Sequence, residues 1–289
     1  MSAVATILGL MLVVVFIANY IATTLPNTMG QNELQHETQV ENQVSELSAL
    51  LQAVAVNGVV GAQVSQPISM GSAGAPPFAG PDGSTLTSIA PVNNTTGTYP
   101  AENVSFSLTG PGGVQVNPSP IGIAGFVVNL ENTYSPSAAV AFDQGAVLYI
   151  QPGAYPIFIM APRIGFSNNV LSIFFPRFQN LTVGEAGTGT AVMSFRLLAA
   201  TKLYIPTSSF SFTSGSSVVI KIVTPYAASW YAYFEATTAF STLVTCSGPN
   251  SVCSALYQPG RSLGTVTLTI PTSGLTMNFL SALYAVTVS

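Results

Sequence analysis

From Met1 to Asn32 the chain carries no charged side chain, and this restricts its fold more than any other feature. The centre of the stretch is Ile7-Leu8-Gly9-Leu10-Met11-Leu12-Val13-Val14-Val15-Phe16-Ile17-Ala18. Wound as a helix at about 1.5 Å per residue, residues 1–25 would span roughly 37 Å, enough to cross a hydrocarbon layer of about 30 Å. A membrane-length helix is expected, whose surface is made by Ala3, Val4, Ile7, Leu8, Leu10, Met11, Leu12, Val13, Val14, Val15, Phe16, Ile17, Tyr20 and Ile21. A cleaved secretory signal normally has a basic leading segment, a shorter apolar run and a small-residue cleavage site. No Lys or Arg precedes this run, so a retained helix is the expectation, with any basic leader removed before the numbering starts. The uncharged flanks give the positive-inside rule nothing from which to assign an orientation.

A second helical pattern follows. Pro26 and Gly30 predict a kink at 26–30, because proline withdraws a helical N–H and glycine adds backbone freedom. Val40, Val44, Leu47, Leu51 and Val54 then recur at alternating spacings of four and three, a seam along one helix face, while Glu33, Glu37, Glu41 and Glu46 fall elsewhere. Such a stripe requires a partner, either other helices or the chain's own globular part. Asn57-Gly58 is the expected stop. The first segment is therefore 1–57, a helix for assembly or membrane insertion.

Residues 58–100 are rich in Gly, Ser, Pro, Thr and Asn and read as a connection, with short strands around Leu86 to Ile89. From 101 to 289, short runs of Val, Ile, Phe, Tyr and Thr alternate with turn clusters about every ten residues, the pattern of a mostly antiparallel β-sandwich. In Gly264-Thr265-Val266-Thr267-Leu268-Thr269-Ile270-Pro271 the apolar residues share one face and the threonines the other. Trp230 to Phe234 reads as another strand, with Trp230 and Phe234 on its core side. The expected class is α+β, a long N-terminal helix followed by a β-domain.

Charged residues make up 6% of the 289 residues, against roughly 25% in an average soluble domain. Six Lys and Arg against ten Asp and Glu leave a net charge of −4, which argues against a nucleic-acid partner, since that needs a cationic surface. Thr and Ser stand where most surfaces carry Lys and Glu, fitting an acidic habitat or a densely packed or glycosylated surface. Asn93, Asn94, Asn103 and Asn180 begin Asn-x-Ser/Thr tripeptides and are candidate N-glycosylation sites. Cys246 and Cys253 flank a Gly-Pro-Asn turn, so a disulfide stapling one hairpin is expected. Their spacing fits neither a redox motif nor a zinc site.

Material for catalysis is scarce. His36, the sole histidine, is expected to be a solvated helix residue. The carboxylates of Glu102, Glu131, Asp143, Glu185 and Glu235 show no pairing in the sequence, and Gly184, Gly187 and Gly189 lack the spacing and following helix of a phosphate loop. No enzymatic site, cofactor or metal is expected.

An uncharged apolar N-terminal helix beginning Met1-Ser2-Ala3-Val4-Ala5, its amphipathic extension to about Val56 and a C-terminal β-domain resemble the archaeal type IV pilin and archaellin superfamily. A weaker likeness is the stretch Gln144-Gly145-Ala146-Val147-Leu148 through Ala161-Pro162-Arg163-Ile164. Ala5 stands where many bacterial type IV pilins carry glutamate, which favours the archaeal branch. The resemblance implies removal of a basic leader by a dedicated peptidase and insertion in the membrane before assembly. It further implies polymerisation by pilus machinery into an extracellular filament with a helical core and β-domains outside. The partners are then copies of the chain itself. The alternative expectation is a monomeric surface protein, anchored by the same helix, whose β-domain binds a sugar or an adhesion partner.

Overall fold

The computed structural model describes residues 3–89, 103–109, 115–116, 121–122, 125–179, 181, 183–205, 217–247, 264–271 and 275–289. Helix α1 (Ala3–Asn19) passes through a π turn (Tyr20–Thr24) into α2 (Leu25–Asn57), so that helical backbone runs unbroken from Ala3 to Asn57. Residues 26–30 are regular helix, and the irregularity predicted there falls one turn earlier. The cause is still Pro26. It has no N–H for the Ala22 carbonyl, and its ring would crowd that carbonyl. The wider turn relieves both problems, with the Leu25 N–H donating to Tyr20 O five residues back. Gly58 ends α2 as expected, at φ 69° with its N–H on Val54 O.

The stripe that α2 buries is Leu25, Met29, Glu33, His36, Val40, Val44, Leu47, Leu51 and Ala55. Its 4-4-3 spacing repeats every eleven residues, about 3.67 per turn, so it follows a nearly straight helix where a strict heptad would impose supercoiling. The inward position after Leu51 is accordingly taken by Ala55, while Val54 is half-buried beside it.

Among the described residues the strands begin with β1 (Gln63–Ser69), β2 (Ser84–Ile89), β3 (Asn103–Thr109), β4 (Gln115–Val116) and β5 (Ile121–Gly122). There follow β6 (Gly125–Leu130), β7 (Ala138–Asp143), β8 (Ala146–Ile150), β9 (Ile157–Met160), β10 (Ile164–Ser167), β11 (Val170–Gln179) and β12 (Gly184–Gly187). Then come β13 (Thr190–Ile205), β14 (Ser217–Thr224), helix α3 (Ala227–Ala236), β15 (Val244–Ser247), β16 (Gly264–Pro271) and β17 (Thr276–Val288). The fold is α+β, a long N-terminal helix followed by mostly antiparallel sheets.

Among the described residues, three sheets result. The first runs β1-β13-β17-β11-β10, the second β12-β2-β6-β7-β8-β9, and the third β15-β16-β14-β3-β4 with β5 also on β3. The described pairs are antiparallel except β11 with β17, parallel from Val170↔Thr276 to Gln179↔Ala285. Two-residue alternation lets a strand serve two cores. Phe126, Val128, Val140, Phe142 and Val147 of the second sheet join α2 and the first sheet in one core. Val127, Ala141, Leu148 and Ile150, on the opposite face, join α3 and the third sheet in the other. β17 does the same, with Phe279 in the second core and Ala282, Tyr284 and Val286 in the first.

Two expectations are corrected here. Residues 63–69, read as connection, are strand β1 of the first sheet, whereas the short strand expected around Leu86 to Ile89 is present as β2 of the second. Trp230 to Phe234 is part of α3, not a strand. A spacing of four satisfies the strand period of two and the helix period of 3.6 alike, and the alanines at 227, 228, 232 and 236 favour helix. Trp230 and Phe234 are core residues as expected.

Candidate assembly surface and its anchor

No residue of α1 is buried. Val4 and Phe16 are 71% and 72% exposed, and Ile17, the most covered of the large apolar side chains in α1, still 40%. Exposed apolar groups lie on every side, since Val13, Val14, Val15 and Phe16 succeed one another at about 100° steps around the axis. A helix used by one partner helix would show a single stripe. One apolar around its whole circumference calls for lipid or several neighbours at once. Leaving it in water forfeits on the order of 20 kcal/mol of burial. Ala3, Ala5, Gly9 and Ala18 are small enough for close helix approach. Ala3–Asn57 is long and apolar enough to cross a membrane by length and composition.

The body of the protein begins to hold the helix at Tyr20, whose ring lies 5.3 Å from that of Phe78. The strongest attachment is Glu33, fully buried on the inner face of α2. Its carboxylate accepts the backbone N–H groups of Thr133 (3.0 Å), Tyr134 (3.0 Å to each oxygen) and Ser135 (2.5 Å). Burial opposes this charge, but hydrogen bonding to the Asp82 carboxyl and to the 134–135 segment outweighs it and holds Glu33 below the usual carboxylate range. Asp82 moves the other way, pushed up first by burial and further by Glu33. Asn32 Nδ2 donates to Ala73 O at 2.9 Å, and Gln43 Oε1 accepts the Ser69 N–H at 2.9 Å.

His36 is buried, contrary to its expected solvation, with Nε2 3.1 Å from Ser69 O. Burial holds its pKa below the ordinary value, against the opposing effects of that carbonyl and of Glu37. It follows Glu33 by three residues and Val40 follows it by four, and this apolar-stripe position was the signal that could have revealed its burial. Farther along α2, Ser48 donates to Gly145 O at 2.7 Å, and Tyr284 donates to Leu51 O. Lys202 Nζ donates to Val56 O, where cations complement a helix C-terminus. The seam residues Val40, Val44, Leu47 and Leu51 are fully buried against the chain's own sheets. The stripe is thus occupied from within.

Among the described residues, the remaining candidates do not converge. Asp143 is fully buried, its Oδ2 accepting Thr224 Oγ1 and Trp230 Nε1, each at 2.7 Å. Burial pushes its carboxyl up to about 6 in spite of these bonds. Glu131, Glu185 and Glu235 are exposed and lie on separate elements, and Glu102 is outside the described residues. Gly184 and Gly187 belong to an edge strand, β12, with Gly189 just beyond it. Among the described residues no three His, Cys, Asp or Glu side chains gather where a metal could bind. Cys246, on the edge strand β15, is disulfide-bonded; the other cysteine of the chain, Cys253, lies outside the described residues. Of the sequons, Asn103 opens β3, paired with Val223 and Gly122, while Asn93, Asn94 and Asn180 are outside the described residues. No family model, no curated protein and no solved structure matches the chain.

Proposed function

We propose that the chain is a structural subunit of an extracellular filament of the archaeal type IV pilus kind, with α1 helices bundled in the core and the sheets outside. The observation that carries this reading is the division of one continuous helix. Residues 3–19 are apolar and wholly exposed, whereas residues 25–57 are fixed in the head by a buried stripe and by Glu33. The all-round apolar surface of α1 suits several identical neighbours, and it also suits lipid, where subunits would wait before polymerising. The membrane, a leader peptidase and an assembly machinery are then its transient partners. On this reading the head is a non-enzymatic surface for adhesion or motility.

Electron microscopy of purified native material tests the proposal. Filaments are expected, and Val13→Asp, on an exposed residue of α1, should abolish them while thermal melting of the head stays unchanged. Unaltered filament yield from that variant would sink the proposal. A chain that extracts with detergent as a monomer and never forms filaments would instead identify an anchored surface protein.

A further inference from the structure

The chain segregates its charge. Eight of its ten Asp and Glu precede residue 163, and all six Lys and Arg stand at or beyond it. The fold turns this into two unlike poles along α2. At the C-terminal end of α2, Val56, Arg163, Phe174, Lys202 and Phe279 contribute to a groove of about 430 Å³ that no carboxylate lines among the described residues. Arg163 Nε is buried without a hydrogen-bond partner, and its Nη2 reaches the weak acceptor Met160 Sδ at 3.8 Å. Lys202 faces the Val56 carbonyl, a partial charge at most. Val56, Val59 and Val60 at this end are 51%, 62% and 66% exposed.

At the other pole the loop 131–137 exposes Glu131 and Tyr134 and is held rigid from beneath by Glu33. Glu33 and Val56 stand 23 residues apart on one helix, about 35 Å. Each copy thus presents an acid- and ring-bearing loop at one end, which itself borders a cavity of about 540 Å³, and a cationic groove with an apolar floor at the other.

We infer that loop 131–137 of one copy seats in the Arg163–Lys202 groove of the next. Glu131 supplies the carboxylate that the Arg163 guanidinium lacks, and Tyr134 covers the apolar floor. A contact between two different patches repeats from copy to copy, and where its rotation does not close a ring it generates an open helical array. The inference rests on the filament reading and adds to it a contact between heads, distinct from the α1 core.

The test compares filaments of the full chain by electron microscopy for wild type, Glu131→Lys, Arg163→Glu and the two combined. Each single reversal is expected to lower filament yield about tenfold, and the combination to restore it, because complementary charge is exchanged rather than lost. Wild-type filaments should shorten near 1 M salt, where the Debye length is about 3 Å. Glu131 is exposed, so Glu131→Lys keeps the test decisive if Arg163→Glu fails to fold. A chain carrying Glu131→Cys with Lys202→Cys should yield a ladder of covalent multimers on oxidation. The pole separation forbids bonding within one copy, since bridged Cα atoms lie within about 7 Å. Wild-type filaments with unchanged Glu131→Lys yield and no ladder would overturn this contact and leave the filament reading standing. Absence of wild-type filaments would defeat the filament reading and this contact together.

Discussion

Asp143 shows how one buried residue sets a pH response. Its carboxyl is pushed up from the ordinary 3.8 to about 6, so the folded chain holds a proton that the unfolded chain has already released. Its contribution is fully present below about pH 4 and is lost as pH rises through 6, a change of about 3 kcal/mol for a shift of some two units. Denaturant unfolding at pH 4 and pH 7 should show wild type losing this stability, whereas Asp143→Asn, which cannot ionise, should not lose it. Equal pH slopes for the two proteins would defeat the assignment. His36 acts in the opposite direction, since burial lowers its pKa and the unfolded chain takes up a proton as pH falls below 6.5. Comparing the two proteins cancels that background.

Glu33 makes a residue-scale prediction of its own. Glu33→Ala would leave the part-buried amides of residues 133–135 without their acceptor, at up to about 1–3 kcal/mol for each donor that water cannot reach. A fall in melting temperature is expected, with faster amide hydrogen exchange confined to the 133–135 loop. The role of Glu33 was invisible beforehand because the three donors lie about a hundred residues away and are backbone groups, which carry no signature in a sequence.

At the scale of elements, α2 was legible in outline. The seam from Val40 to Leu51 and the stop at Gly58 both follow from helix periodicity and capping, which are local. The occupant of the seam was not legible, because apolar side chains record that water must be excluded and not what excludes it. Leu47→Ala should cost about 2–5 kcal/mol in denaturant unfolding, since Leu47 is fully buried between α2 and the sheets. A cost below 1 kcal/mol would place the seam outside the cooperative core. β1 was missed because Gln63-Val64-Ser65-Gln66-Pro67-Ile68-Ser69 has little β-branched character. Pairing with β13, from Gln63↔Arg196 to Ser69↔Thr190, makes it a strand. Reducing the Cys246 disulfide should loosen the β15 edge and cost about 2–3 kcal/mol by loop entropy, leaving filaments intact.

For the whole molecule, the separation of α1 from the head predicts two independent units of stability. Deleting residues 3–19, none of them buried, should leave the melting temperature of the head within a few degrees of wild type. A large fall would mean that α1 supports the fold. The sequence by itself determined that a charge-free helix of membrane length must leave water, that an amphipathic helix continues it, and that strands follow. Each of these is written in periodicity and hydropathy over a few consecutive turns. Only the tertiary structure decided that the stem stripe is filled from within and α1 is not. It also decided that a lone glutamate clamps the stem and that Arg163 and Lys202 share a groove remote from loop 131–137. These depend on contacts across tens to hundreds of residues, where the free energy comes from which surfaces meet and not from the residues taken in order.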